Sequence, residues 1–201
     1  MVIAAVVLAA VASCGTSTAP ANPAPSPSAV SPVASPPAAA PSAASPSPPA
    51  AAANCDTAGW RSAPVSVTRP VTVPPVPVIT AVRTAAHPEC GYDRLVLDIT
   101  GPMPGYDIRY VRQVTADPSG KPVTLPGHSY LLITLRPALA HNGSGAPTIT
   151  RPVGTLGYPV LKGYALTGDF EGVLTLALGL HDTASIRVAE LPGHWYIDLR
   201  T

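Results

Sequence analysis

The segment Val173-Leu-Thr-Leu-Ala-Leu-Gly-Leu180 decides the fold class of this chain. Leucines occupy every second position, 174, 176, 178 and 180, and the positions between them hold the smaller Val, Thr, Ala and Gly. A period of two puts successive side chains on opposite faces of a β-strand, so the leucines share one face. Because neither face carries a charge, the segment is predicted to be a central strand that is covered on both sides.

Three further runs alternate with the same period, at residues 94–99, 131–135 and 195–200. In the last of them Trp195, Ile197 and Leu199 alternate with polar or aromatic neighbours, as in a half-buried strand. Turn-forming pairs and tetrads separate the runs, at 101–102, 104–105, 117–120, 126–127, 142–143 and 192–193. No window shows a useful helical period. Short strands without helical crossovers predict an all-β fold, an antiparallel β-sandwich.

The composition changes sharply near residue 54. All 12 Lys and Arg residues and all 11 Asp and Glu residues lie from Asp56 onward, which predicts a folded domain at 54–201. A domain of this length can bury its own core. The formal net charge of +1 provides no basic stripe, so nucleic acid is not an expected partner.

The N-terminal residues resemble a bacterial lipoprotein signal. An uncharged apolar run from Val2 to Val11 leads through Ala12 and Ser13 to Cys14, and the run is too short to span a bilayer. Residues 1–13 are therefore interpreted as a signal peptide, although no Lys or Arg precedes its apolar core. Cys14 is the predicted lipidation site, which would anchor the protein on the outer side of the cytoplasmic membrane. The alternative is an apolar tail with an incidental cysteine.

Residues 14–53 follow as the lipidated Cys14 and a segment made almost entirely of Pro, Ala and Ser. This composition buries too little apolar surface to offset its conformational entropy, so the segment is predicted to be a disordered tether. A Pro-rich ligand for an aromatic groove would need basic flanking residues, and none lies nearby.

Two cysteines remain, Cys55 and Cys90, and an exported location favours a disulfide between them. The competing interpretation is metal binding together with His87, but the close paired spacing of a zinc site is missing. We therefore expect no metal and no cofactor.

Several short motifs, in this order, resemble the AMIN-like domain of actinobacterial lipoproteins. They begin with His87 and Tyr92-Asp93-Arg94 and end with Gly168-Asp-Phe-Glu-Gly172 and the Trp195-Tyr-Ile-Asp-Leu199 strand. The resemblance covers about residues 76–201. It implies a β-sandwich related to the AMIN module, which binds peptidoglycan in cell-wall amidases. No amidase segment follows in this sequence.

A wall-binding surface would place aromatic rings against sugars and charged groups against hydroxyls and carboxylates. The candidate ligand-binding residues are Tyr92, Arg94, Tyr106, Tyr110, Asp169 and Glu171. Each also has a structural interpretation. Tyr106 and Tyr110 share the parity of Ile108 and could pack in the core, and Arg94 could pair with a carboxylate across the sheet.

Catalytic interpretations are weaker. Gly127-His-Ser-Tyr-Leu131 lacks the last glycine of a nucleophile elbow and precedes a strand, which favours a turn. Asp169 and Glu171, if extended, would point to the same side and could serve acid–base chemistry. We expect no enzyme. Two hypotheses remain: a module that binds peptidoglycan or another wall glycan, and an adaptor that docks an envelope protein through an exposed edge strand.

Overall fold

The computed structural model describes residues 55–70 and 74–201. The predictions for the signal peptide at 1–13, for Cys14 and for the tether at 14–53 lie outside these ranges and stay predictions. Apart from a single 3₁₀ turn at Pro88–Cys90, the described ranges contain strands and loops and no helix. They likewise hold no helix long and apolar enough to cross a membrane.

The strands are short and follow the alternation of the sequence. Their bounds are β1 Val65–Val67, β2 Val78–His87, β3 Tyr92–Thr100, β4 Gly105–Val111, β5 Thr115–Ala116, β6 Lys121–Pro122, β7 Ser129–Arg136, β8 Val153–Thr155, β9 Leu161–Phe170, β10 Val173–Leu180, β11 Ser185–Leu191 and β12 His194–Arg200.

Two antiparallel sheets form the domain. One has six strands in the order β1-β4-β7-β10-β9-β8, and the other has four in the order β11-β12-β3-β2, while β5 and β6 make a separate small hairpin. Every pairing between these strands is antiparallel. The predicted antiparallel β-sandwich is confirmed.

The core lies between the two sheets. The leucines of β10 meet the inward residues of β12, among them Trp195 and Ile197, in one apolar cluster. Burying each such large side chain contributes about 1.5–3 kcal/mol relative to leaving it exposed. Asp93 lies at the edge of this cluster, where its Oδ2 accepts the backbone N–H groups of Val160 and Leu161, both at 2.7 Å. One carboxylate on the four-stranded sheet thus holds the start of β9 in the other sheet.

The second face of β10 is also covered, as its sequence predicts. Ala177 packs with Val114 and Leu125 of the segment between β4 and β7. Gly179 lies beneath the same segment, and a Cβ added there would be 2.0 Å from the carbonyl oxygen of Pro126. The small side chains of this face are therefore what allows the segment to approach so closely.

The predicted disulfide is confirmed: Cys55 and Cys90 are bonded, with their Cα atoms 5.3 Å apart. The bridge ties the first described residues to the turn between β2 and β3.

Candidate functional site

The six residues nominated from the sequence do not form one surface. Tyr92 and Arg94 lie together on β3, on the outer face of the four-stranded sheet. The other four lie elsewhere, on β4, on β9 and in the β9–β10 turn.

Tyr106 is a core residue and the half-buried Tyr110 packs against the core, because the side of β4 that carries them faces the other sheet. Tyr106 is 9% exposed, and its ring meets the edge of the Trp195 ring at a centroid distance of 5.5 Å. The Tyr110 hydroxyl donates to the carbonyl oxygen of Ala184 at 2.9 Å. Burial raises the pKa of both phenols. Both tyrosines therefore have a packing role, and neither lies on the same sheet as Tyr92 and Arg94.

Asp169 and Glu171 do not point to the same side of an extended strand. Glu171 and Gly172 are the two central residues of the β9–β10 hairpin, with φ values of 49° and 72°. Positive φ at both positions is the type I′ geometry that suits a two-residue hairpin. Asp169 lies before this turn and bonds to the loop at residues 140–141, whereas Glu171 is exposed in the turn.

The outer face of the four-stranded sheet carries a row of charges that the strand register creates. Asp198 on β12 lies opposite Arg187 of β11 on one side and opposite Arg94 of β3 on the other. Its Oδ1 accepts a hydrogen bond from Nε of Arg94 at 2.6 Å. Its Oδ2 accepts hydrogen bonds from Nε and Nη2 of Arg187 at 2.9 and 2.7 Å. Asp198 is fully buried beneath the two guanidinium groups. The hydrogen bonds to Asp198 raise the pKa of Arg94.

Aromatic rings flank the arginines of this row. The Arg94 Cζ atom lies 4.1 Å from the ring centroid of Tyr196 and 5.4 Å from that of Tyr92. Trp60 contributes a third ring, 4.9 Å from Arg187 and 4.2 Å from Arg200. These distances are within the range of cation–π attraction.

Trp60 lies beside the four-stranded sheet because a disulfide and backbone hydrogen bonds hold the segment before β1 against this sheet. The Cys55–Cys90 disulfide fixes the start of this segment. Arg61 then exchanges two backbone hydrogen bonds with Ile186 of β11, at 2.9 and 2.8 Å. Trp60, which belongs to no strand, thereby lies beside β11, β12 and β3.

We call this surface the arginine–aromatic face. It consists of Trp60, Tyr92, Arg94, Arg187, Tyr196, Asp198 and Arg200. Sequence reasoning found only Tyr92 and Arg94 of this set. The alternation of Tyr196, Asp198 and Arg200 along the last strand was a signal for three more members, since residues two apart share a face.

The profile of the AMIN-like domain family matches residues 77–201, which include β2 to β12 and thus most of this face. The chain belongs to the AMIN-like domain family. No curated protein and no solved structure shows significant similarity to the chain. Family membership supports a role in the cell envelope and an extracytoplasmic location for the AMIN-like domain.

The face of this AMIN-like domain can stack flat apolar surfaces and attract anions. The three guanidinium groups of the face, those of Arg94, Arg187 and Arg200, outnumber by one the carboxylates of Asp198 and of the neighbouring Asp56. Asp56 is 71% exposed at its side chain and lies 3.5 Å from Arg187, whereas Asp198 is enclosed. Within 55–70 and 74–201, no group of three His, Cys, Asp or Glu side chains is placed to hold a metal ion.

Proposed function

We propose that this protein is a membrane-anchored lipoprotein whose AMIN-like domain binds peptidoglycan or another wall glycan through the arginine–aromatic face, without enzymatic activity or a cofactor. The observation that carries the proposal is the row of Arg94, Asp198 and Arg187 with aromatic rings on both sides. Family membership supports the cell-envelope setting.

The chemistry of the face suits an acidic glycan. A pyranose ring offers a face of C–H groups that packs on Tyr or Trp. The Nε and Nη2 atoms of Arg94 and Arg187 are bonded to Asp198, so a ligand carboxylate would bind the remaining N–H groups of Arg94 and the guanidinium of Arg200. Asp198 holds the Arg94 and Arg187 planes in place before any ligand arrives, which lowers the entropy lost on binding. Wall glycans that carry lactyl or peptide carboxylates offer both features at once.

The binding proposal is tested by co-sedimentation with insoluble peptidoglycan. The full chain is used with Cys14→Ser, which removes the proposed lipid and allows purification without detergent. Tyr196→Ala and Trp60→Ala should each reduce the bound fraction, by about fivefold or more in apparent affinity if the rings are central contacts. Phe170→Ala is the matched control, since Phe170 is an aromatic side chain 53% exposed outside the face.

Binding that survives added salt and fails only in the two face variants supports the proposal. If the parent chain stays in the supernatant, or if Phe170→Ala reduces binding as much as Tyr196→Ala, the face is not a wall-binding site.

The membrane anchor is a separate part of the proposal and rests on the apolar run before Cys14. In cells, Cys14→Ser should move the protein out of the membrane fraction and abolish the incorporation of labelled fatty acid. A variant that still fractionates with membranes and carries lipid label would contradict this anchor.

One observation favours the adaptor as a second candidate. β2 is ten residues long and, within the described part of the chain, pairs with one strand only, β3. Ile79 contacts Leu139, and the carbonyl oxygens of Ile79 and Thr84 accept hydrogen bonds from the hydroxyls of Thr148 and Tyr158. Between and beyond these contacts, the outer edge offers backbone groups to which a partner strand could add. A photocrosslinking residue at Thr80 or Ala85, both exposed, should capture one defined envelope protein if the adaptor hypothesis is right. Crosslinks to none, or to many unrelated proteins, would count against it.

A further inference from the structure

An open pocket of about 440 Å³ lies at the other sheet, between the end of β9 and the loop that follows β7. This volume is within the range of small-molecule sites, about 300–1,000 Å³. Its walls include the carbon surfaces of Pro147, Ile149, Pro152 and Leu166, and its polar side chains are His141 and Asp169. The arginine–aromatic face belongs to the four-stranded sheet, so this pocket is a different site.

Asp169 fixes the orientation of the His141 ring. Its Oδ2 lies 2.6 Å from Nδ1 of His141 and also accepts the N–H of Ala140 at 3.0 Å. A carboxylate acceptor at that distance assigns the proton of the neutral ring to Nδ1. Nε2 is then the ring nitrogen that carries the lone pair, and His141 lines the pocket. The second oxygen, Oδ1, has almost no accessible surface, and the His141 side chain is 35% exposed against 17% for Asp169, so the imidazole is the more accessible polar group of the pair.

The loop that carries His141 is held in shape by its own side chains. Asn142 Oδ1 accepts the N–H and the hydroxyl of Ser144, at 3.0 and 2.7 Å, and the N–H of Ala146 at 3.0 Å. Backbone bonds from Asn142 to Ala146 and from Thr148 to Ala140 close the loop further. Because these bonds already order the loop, less conformational entropy is lost when a ligand binds.

We infer that this pocket binds the N-acyl group of an acylated amine, such as the acetamido group of an N-acetylated amino sugar. The amide N–H donates to Nε2 of His141, and the methyl group packs on Ile149 and Leu166. A purely hydroxylated sugar has no methyl group for the apolar wall, and an anion finds no excess of positive charge, because His141 is paired with Asp169. The inference concerns a separate site and does not require that the arginine–aromatic face bind the wall.

The test follows the His141 ring resonances of the full chain by NMR during titration with N-acetylglucosamine, with glucose and glucosamine as comparators. His141 should shift saturably in the millimolar range with N-acetylglucosamine and much less with the other two sugars. His181 is the internal control, because it forms a similar bond with Asp182 at 2.7 Å but lies on the surface, 53% exposed.

Two substitutions make the assignment specific. His141→Phe keeps the ring volume and removes the acceptor, so binding should weaken by about fivefold, the effect of one neutral hydrogen bond. His141→Gln keeps an acceptor and should bind more tightly than His141→Phe. Binding by both variants is followed by the backbone amide resonances of the pocket residues Ile149 and Leu166, and the same spectra show whether the fold is retained. The inference is overturned if His141 does not shift, if glucose shifts it equally, if His181 responds in the same way, or if the Phe variant binds as well as the parent.

Discussion

Asp198→Asn should destabilise the domain far more than Asp98→Asn, although each aspartate accepts hydrogen bonds from an arginine on a neighbouring strand. Asp198 is 0% exposed and receives four hydrogen bonds from Arg94 and Arg187 at 2.6–2.9 Å. Asn replaces one of the two acceptor oxygens of Asp198 by an NH₂ donor and removes the charge that lies between two guanidinium groups. Breaking a buried pair in this way costs about 3–5 kcal/mol, and the partial exposure of Arg94 and Arg187, 26% and 12%, favours the lower end.

The matched control is Asp98, which pairs with Arg83 and also accepts a hydrogen bond from His194 at 2.9 Å; the side chains of Asp98 and Arg83 are 24% and 56% exposed. Water replaces the lost partner there, so Asp98→Asn should cost about 0.2–1 kcal/mol. Urea unfolding followed by tryptophan fluorescence gives both free energies, and the difference corresponds to a gap in Tm of roughly 10 °C for a domain of this size. If the two variants lose the same stability, burial does not decide the strength of these pairs and the reasoning is wrong.

Two further predictions concern the pH response and the packing. The hydrogen bonds from Arg83 lower the pKa of Asp98 below its ordinary 3.8, so this pair stabilises the fold above about pH 4 and its contribution is lost as the pH falls through the lowered pKa. In an NMR titration Arg83→Gln should raise the midpoint of Asp98, and an unchanged midpoint would refute that cause. Gly179→Ala should cost about 3 kcal/mol in urea unfolding, because its Cβ would meet the Pro126 carbonyl oxygen at 2.0 Å. Gly143→Ala, with no atom within 4 Å, should change stability by less than about 0.5 kcal/mol, and equal losses would contradict the packing argument.

The strands were predictable because their signal is local. The alternation in 173–180 depends only on neighbouring residues, and both the central position of β10 and its coverage on two sides agree with it. The same local signal could not decide which face of β4 is buried. The period placed Tyr106 with Ile108 on one face, and only the position of β4 against the other sheet shows that this face is the core.

The arginine–aromatic face was only partly predictable because contacts between distant segments build it. Arg94 and Asp198 are 104 residues apart, and their pairing depends on the β3–β12 register. The position of Trp60 depends on the disulfide and on the β-bridge from Arg61 to β11, and no periodic pattern in the sequence indicates either contact. The Asp169–His141 pair was missed for the same reason, since the loop that brings them together carries no strand pattern.

The charged row on the four-stranded sheet is a costly way to stabilise a β-sandwich, and this cost supports a binding role. Replacing a buried ion pair by packed apolar side chains is often neutral or stabilising, so the Arg94–Asp198–Arg187 row is not needed for the fold as such. What the row provides is two guanidinium planes whose positions are set before a ligand arrives, beside rings that exclude water. Side chains fixed in this way lose less entropy on binding than mobile surface arginines do. The same fixed geometry that makes Asp198→Asn destabilising would therefore lower the entropy cost of the glycan binding proposed above.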